Sequence, residues 1–153
     1  MIGIVLLFIT PKISESRDRA VVEQSLQALN VFDEKIRETL DSGLGNTRVI
    51  SDFVIRRGEF IIDEDNDRIV FKIDDLKKPY SEPGVEIDYG AIKILSTEGQ
   101  KKSSVTLTLD YGGIADLYHG GNGEMKFTAS ATPYSFSIIN KEDGIRIVEN
   151  TGG

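Results

Sequence analysis

The chain has 153 residues, of which 39% are hydrophobic, a composition typical of one globular domain large enough to bury a core. Its 25 acidic residues outnumber 18 basic ones, and the net charge of −7 opposes contact with phosphate backbones, so no nucleic-acid partner is predicted. With no cysteine and one histidine, disulfides, zinc-thiolate sites and cysteine nucleophiles are excluded, and little imidazole chemistry remains.

The chain opens with an apolar run, MIGIVLLFIT, and its first charged residue is Lys12. This run is about half the roughly 20 apolar residues that a membrane-spanning helix needs. It also lacks the basic region and small-residue cleavage site of a signal peptide. Three interpretations are open: a core element of the domain, the inner half of a longer hydrophobic segment, or an intermolecular packing surface.

A long amphipathic helix is predicted next, because residues 14–40 contain no Gly or Pro and place apolar residues at steps of three and four. Gly43 fits its end. If residues 1–9 are helical too, with Pro11 as a kink or first-turn residue, the helix approaches 40 residues, or about 60 Å. The residues predicted to pack this helix on a sheet are Val22, Leu26, Leu29, Phe32, Ile36 and Leu40.

After Gly45 the apolar residues alternate, which predicts short strands separated by turns. Eight or nine strands are expected, over residues 47–55, 59–62, 68–73, 85–88, 91–95, 105–109, 125–129, 134–139 and 145–148, with a further short one at 114–118. Their number and spacing favour an antiparallel β-sandwich. The predicted fold class is therefore α+β, with a long N-terminal α-helix packed on a C-terminal antiparallel β-sandwich. Its two parts are a helix over residues 1–42, apolar over 1–12 and amphipathic over 13–42, and a β domain over residues 46–150.

Three segments resemble metal-binding or phosphate-binding motifs, but each is better explained as a turn or loop of the fold. Residues 63–74 have carboxylates near calcium-loop spacing, yet Arg68 stands where the loop needs Gly and Asp74 where it needs Glu, so an acidic hairpin turn is predicted. His119 has no second His or Cys at ligand spacing and is predicted to be a polar loop residue. The glycines of residues 120–123 precede a strand and not a helix, which predicts a hairpin loop and no phosphate site.

Catalytic patterns are equally sparse. No serine lies in a Gly-x-Ser-x-Gly elbow, and a serine triad would depend on His119 alone. The sequence therefore predicts no catalytic residue, no metal ligand and no cofactor, and we expect that the protein is not an enzyme. A soluble enzyme with a carboxylate site is the disfavoured alternative.

A resemblance to a known layout lies in the run IGIVLLFITPKISESRDRAVVEQSLQALNVFDEKIRETLDSGLGNTRVISDF, with its junction DEKIRETLDSGLGNTRVI, and in the segment GEFIIDEDNDRIVFKI. In these segments the sequence resembles archaeal type IV pilin-like proteins. The resemblance implies a pilin-like fold and a subunit of a cell-surface filament, whose apolar helices bundle into a core or lie in the membrane before assembly. The apolar run is about half the length usual in that family.

Burial of the apolar run between copies also offers an assembly mechanism on physical grounds. Nine apolar residues that each bury about 100 Å² contribute roughly 20 kcal/mol gross at about 25 cal/mol per Å². Head-to-tail contacts that do not close would then build a filament. The predicted assembly or membrane surface consists of Met1, Ile2, Ile4, Val5, Leu6, Leu7, Phe8 and Ile9.

The expected partners are other copies of the chain or other pilin-like subunits, with the membrane as partner before assembly, at the cell surface. The alternative is a membrane-anchored extracellular binding or adhesion module that does not polymerise. Its β-sandwich would present loops such as residues 112–123 to a ligand.

Overall fold

A computed structural model describes the backbone of residues 2–120 and 123–150 and the side chains of residues 16–120 and 123–150. Within these ranges one helix precedes ten strands. The helix α1 spans Ile2–Asp41. The strands are β1 Thr47–Phe53, β2 Glu59–Asp63, β3 Arg68–Leu76, β4 Glu86–Tyr89, β5 Ile92–Glu98, β6 Ser103–Asp110, β7 Leu117–Tyr118, β8 Glu124–Thr128, β9 Tyr134–Lys141 and β10 Gly144–Glu149.

The apolar and amphipathic segments form one helix of 40 residues, about 60 Å long at 1.5 Å per residue. Pro11 lies inside this helix, so the alternative of a first-turn proline is wrong. After the helix ends, Gly43 and Gly45 adopt φ values of 88° and 84°, a left-handed conformation that residues with a Cβ avoid. The glycines turn the chain from the helix axis into β1.

The strands form two sheets, and the predicted α+β class is confirmed. Sheet A has the order β1-β9-β10-β7, and sheet B has the order β4-β5-β6-β3-β2-β8. Neighbouring strands are antiparallel except β7 and β10, which are parallel. The prediction of a wholly antiparallel domain is therefore wrong at this pair, because β8 and β9 intervene in the chain and no hairpin dictates the direction of β7.

Four connections between the described strands cross from one sheet to the other. Residues 54–58 lead from β1 in sheet A to β2 in sheet B, and residues 119–123 lead from β7 to β8 in the same sense. Residues 111–116, from β6 to β7, and residues 129–133, from β8 to β9, lead back from sheet B to sheet A. The hairpin loop predicted for residues 120–123 is therefore wrong, since β8 pairs with β2; residues 121–122 lie outside the described part. The acidic hairpin turn is confirmed, because Asp63 on β2 pairs with Arg68 on β3.

Both sheets and the C-terminal half of α1 enclose one core. Phe32 on the helix is fully buried, and its ring centroid lies 5.8 Å from Phe53 and 5.5 Å from Phe136, both in sheet A. The same ring lies 5.4 Å from Phe60 in sheet B. The helix therefore joins the two sheets. Buried beside it from α1 are Val22, Leu26, Leu29 and Ile36, while Leu40 is half-buried against the same core.

Candidate assembly surface

Two buried polar contacts fix the C-terminal half of α1. Asp33 accepts a hydrogen bond from the Tyr111 hydroxyl at 2.6 Å, and Arg37 Nε lies 3.0 and 3.1 Å from its two oxygens. Burial and then the Asp33 carboxylate raise the pKa of Tyr111, so its hydroxyl stays a donor. Nearer the helix end, Asn140 Nδ2 donates to the Thr39 carbonyl at 3.0 Å, which satisfies a carbonyl with no partner inside the helix.

A third contact lies close to the point where the apolar segment meets the β region. Asp18 accepts hydrogen bonds from Arg57 Nη2 at 3.0 Å and from the Lys77 amide at 2.9 Å. Arg19 places its guanidinium 4.9 Å from the ring centre of Tyr80, a cation–π distance. Residues 2–15 precede this contact in the same helix and account for about 21 Å of its length.

Burial alone would raise the pKa of Asp18, but the hydrogen bonds from Lys77 and Arg57 outweigh that effect and lower it. Because the lowered pKa belongs to the folded state, the contact stabilises the protein above the ordinary value of 3.8 and is lost as the pH falls below it.

We expect Asp18→Ala to lower the free energy of unfolding by about 1–2 kcal/mol at neutral pH, because two donors lose their acceptor. Urea denaturation over a pH series should show this difference shrinking below pH 3.8. The control is Glu23→Ala, which removes an exposed contact to Arg19 and should cost no more than about 0.5 kcal/mol. A difference that stayed constant with pH would contradict the assignment.

A cleft of about 290 Å³ opens between α1 and the chain that follows β3. Its floor is apolar, since Val22 and Leu76 are buried there, and Tyr80 forms one wall. Burial first, and then Glu23 and Tyr89, raise the pKa of Tyr80, while Arg19 lowers it. Leu76, the last residue of β3, brings this strand of sheet B to the cleft. Its lining residues are Ser16, Asp18, Arg19, Val22, Leu76, Lys78, Pro79 and Tyr80.

Strand β4 is the edge strand of sheet B, and its inner side is left uncovered in the described part of the chain. Ile87 pairs with Ile94 and Tyr89 with Ile92, and both isoleucines of β5 are buried in the core. Directly paired residues share one side of a sheet, so Ile87 and Tyr89 face the core side. They are nevertheless 39% and 49% exposed, and Val85, directly before β4, is 43% exposed. We call Val85, Ile87 and Tyr89 the β4 face.

The opposite side of the same hairpin is acidic. Lys93 Nζ lies 3.5 Å from Glu86 and 3.3 Å from Asp88, and its hydrogen bond to Asp88 raises its pKa. Residues 82–98 hold four acidic residues against this one lysine, a net charge of −3. Edge strands that carry like charges repel each other, so β4 is protected from pairing with β4 of another copy.

The structure describes only part of the predicted assembly surface. Ile2, Ile4, Val5, Leu6, Leu7, Phe8 and Ile9 belong to the helical backbone of α1, while their side chains lie outside the described residues, as does the whole of Met1. No helix in the part of the chain that the structure describes is long and apolar enough to cross a membrane.

His119 lies in the loop that follows β7, as predicted. Its side chain is buried there, with Nε2 at 2.8 Å from the Gly123 carbonyl oxygen and 3.3 Å from Glu64 Oε2. It therefore ties the crossover loop to the turn between β2 and β3. Among residues 16–120 and 123–150, no three His, Asp or Glu side chains come together as a metal site.

The β4 face and the Asp18 contact were not predicted from the sequence. Comparison of the chain with protein-family models, curated proteins and solved structures gives no match.

Proposed function

We propose that the protein is a structural subunit of a type IV pilus-like cell-surface filament, which assembles through its apolar N-terminal helices and displays its β domain outward. The observation that carries this proposal is the continuity of α1 over Ile2–Asp41. One rigid element joins a segment of strongly apolar sequence to a half that is locked into the domain core.

The C-terminal half of α1 supplies contacts to both sheets. Within residues 16–41, the buried apolar residues of α1 run from Val22 to Ile36, and they reach both sheets through Phe32. We propose that the segment before Asp18 offers its apolar side chains to another molecule. Burying such side chains between copies is the dominant favourable term in most protein association.

The proposed function goes with a specific arrangement of the two sheets. We infer a two-sheet sandwich of the pilin-like kind, with α1 closing one side. Direct aromatic contacts between the sheets support it: the ring centroids of Phe136 in sheet A and Phe60 in sheet B lie 5.7 Å apart, and those of Phe136 and Phe127 lie 5.1 Å apart. Stacked sheets share a core in this manner.

A second candidate is a membrane-anchored adhesion module that does not polymerise. It is favoured by a cleft of about 450 Å³ near the C-terminal end of α1. Leu44 and Ile114 line this cleft and are 68% and 52% exposed. Exposed apolar side chains at the rim of a cleft are typical of an interaction site. The cleft includes part of the loop over residues 112–123 that the sequence favours for display.

Deleting residues 1–12 tests the filament proposal. We expect the full chain to form fibres in electron micrographs and to sediment, and the deleted chain to stay monomeric with a nearly unchanged melting temperature, since among the described residues the core contacts of α1 begin at Val22. The matched control is Val49→Ser with Val54→Ser, which removes one exposed apolar group from β1 in sheet A and one directly after it, and should leave fibres intact.

Ordered fibres from the deleted chain would contradict the proposal. A full chain that binds lipid vesicles through residues 1–12 and forms no fibres would support the adhesion module instead. The two candidates are therefore separated by the same pair of proteins.

A further inference from the structure

We propose that the β4 face of one copy binds the apolar segment, residues 1–12, of a second copy. This inference rests on the proposed function and names the surface that receives the helix. The occupant is a second copy of the chain, lying between α1 and the β4–β5 hairpin of the first.

The surroundings of the β4 face support an occupant that packs beside α1. A Cβ placed on Gly90, at the tip of the hairpin, would lie 4.0 Å from Asn30 Oδ1, so α1 lies beside this end of the hairpin. Next to the tip, Ile87 and Tyr89 leave apolar side chains partly exposed on the side that faces the core.

The lengths also match. The strand β4, Glu86–Tyr89, spans about 13 Å. Residues 2–9, which are helical, rise about 11 Å. The apolar run of one copy is thus long enough to cover the uncovered side of β4 in another.

Charge selects this occupant over others. Lys12 is the single charged residue in residues 1–12, whereas residues 82–98 carry a net charge of −3. An apolar helix seated on the β4 face would bring Lys12 towards the acidic hairpin, which is attractive. A second β4 strand or an anionic lipid surface would instead meet like charge.

The contact would also propagate. The apolar segment and the β4 face are different surfaces of one chain, so each copy offers one of each to its neighbours. Such heterologous contacts build open filaments when the rotation between copies does not close. The proposed binding mode therefore explains extension with a single kind of contact.

Cysteine cross-linking tests the contact directly, because the chain has no cysteine of its own. We expect Leu6→Cys or Phe8→Cys, each combined with Ile87→Cys, to give a ladder of disulfide-linked oligomers after mild oxidation of the assembled protein. The two helix positions sample both sides of the helix. The matched control combines Leu6→Cys with Val49→Cys, an exposed position on sheet A, and should give no ladder.

Weakening the surface gives an independent readout. Ile87→Ser with Tyr89→Ser should raise the protein concentration needed for assembly at least about tenfold, because two partly exposed apolar side chains lose their burial in the contact. The control pair Val49→Ser and Val54→Ser should change it less than about twofold. Circular dichroism melting checks that each variant is folded.

The results distinguish a failure of this binding mode from a failure of the proposed filament. Fibres without a ladder from either helix position, or with an equal ladder from the Val49 control, would overturn the binding mode and leave the filament proposal intact. No assembly by the full chain at any concentration would overturn both.

Discussion

Replacing Phe32 with alanine should lower the free energy of unfolding by about 3–5 kcal/mol, the usual cost of removing a fully buried aromatic side chain. Phe32 is fully buried and contacts Phe53, Phe60 and Phe136. Its loss leaves a cavity where the helix and both sheets meet. A typical domain has about 5–15 kcal/mol of stability in total, so the variant would lose a large share of it.

Urea denaturation followed by far-ultraviolet circular dichroism measures this effect. The neighbouring residue supplies a matched control, since Val31 is 42% exposed and Val31→Ala should cost no more than about 0.5 kcal/mol. A loss below about 1 kcal/mol for Phe32→Ala would mean that α1 is dispensable to the core. The comparison with the chain lacking residues 1–12 is informative, because that deletion should change assembly and leave stability nearly unaltered.

The docked half of the helix could be predicted from the sequence because helical periodicity is a local property. Steps of three and four place Val22, Leu26 and Phe32 on one side of a helix without any knowledge of the sheets. The structure buries that side. The same local argument fixes the hairpin between β2 and β3, whose acidic turn needs four residues and no distant partner.

Membership of a sheet depends on distant partners, and this part could not be predicted. Gly58 and Gly123 both have positive φ and end short connections, which fits a hairpin as well as a crossover. Their neighbouring strands pair with β3, β8 and β2, and no local pattern names those partners. The parallel direction of β7 could not be predicted for the same reason.

The polar contacts that fix the helix could not be predicted, because the residues that form them are far apart in the sequence. Asp18 and Arg57 are 39 residues apart, and Asp33 and Tyr111 are 78 apart. On the sequence alone, each of these acids looks like part of a solvated helix surface. The β4 face was hidden in another way, because alternation in residues 85–89 predicts a strand with one apolar side but not that this side stays uncovered.

Replacing Gly58 with alanine should lower the free energy of unfolding by about 2–4 kcal/mol, through backbone strain and a steric clash. Gly58 has φ of 101°, a conformation that residues with a Cβ rarely adopt. An added Cβ would also clash with the Lys72 carbonyl oxygen and lie 3.2 Å from Ile73 Cγ1. The first of these is a backbone atom of β3, so the ladder between β2 and β3 must shift to make room.

Gly43→Ala separates the cost of backbone strain from the cost of the clash, because Gly43 has φ of 88° but no heavy atom within 4 Å of an added Cβ. It should cost about 1–2 kcal/mol, the conformational part alone. Gly58 also follows Arg57, the partner of Asp18, so a shifted crossover loop weakens the contact at the start of the docked helix. The cost of Asp18→Ala should therefore be smaller in the Gly58→Ala background, by at least about 0.5 kcal/mol in a double-mutant cycle. Equal costs for the two glycine variants, or strict additivity with Asp18→Ala, would show that the crossover loop does not position Arg57.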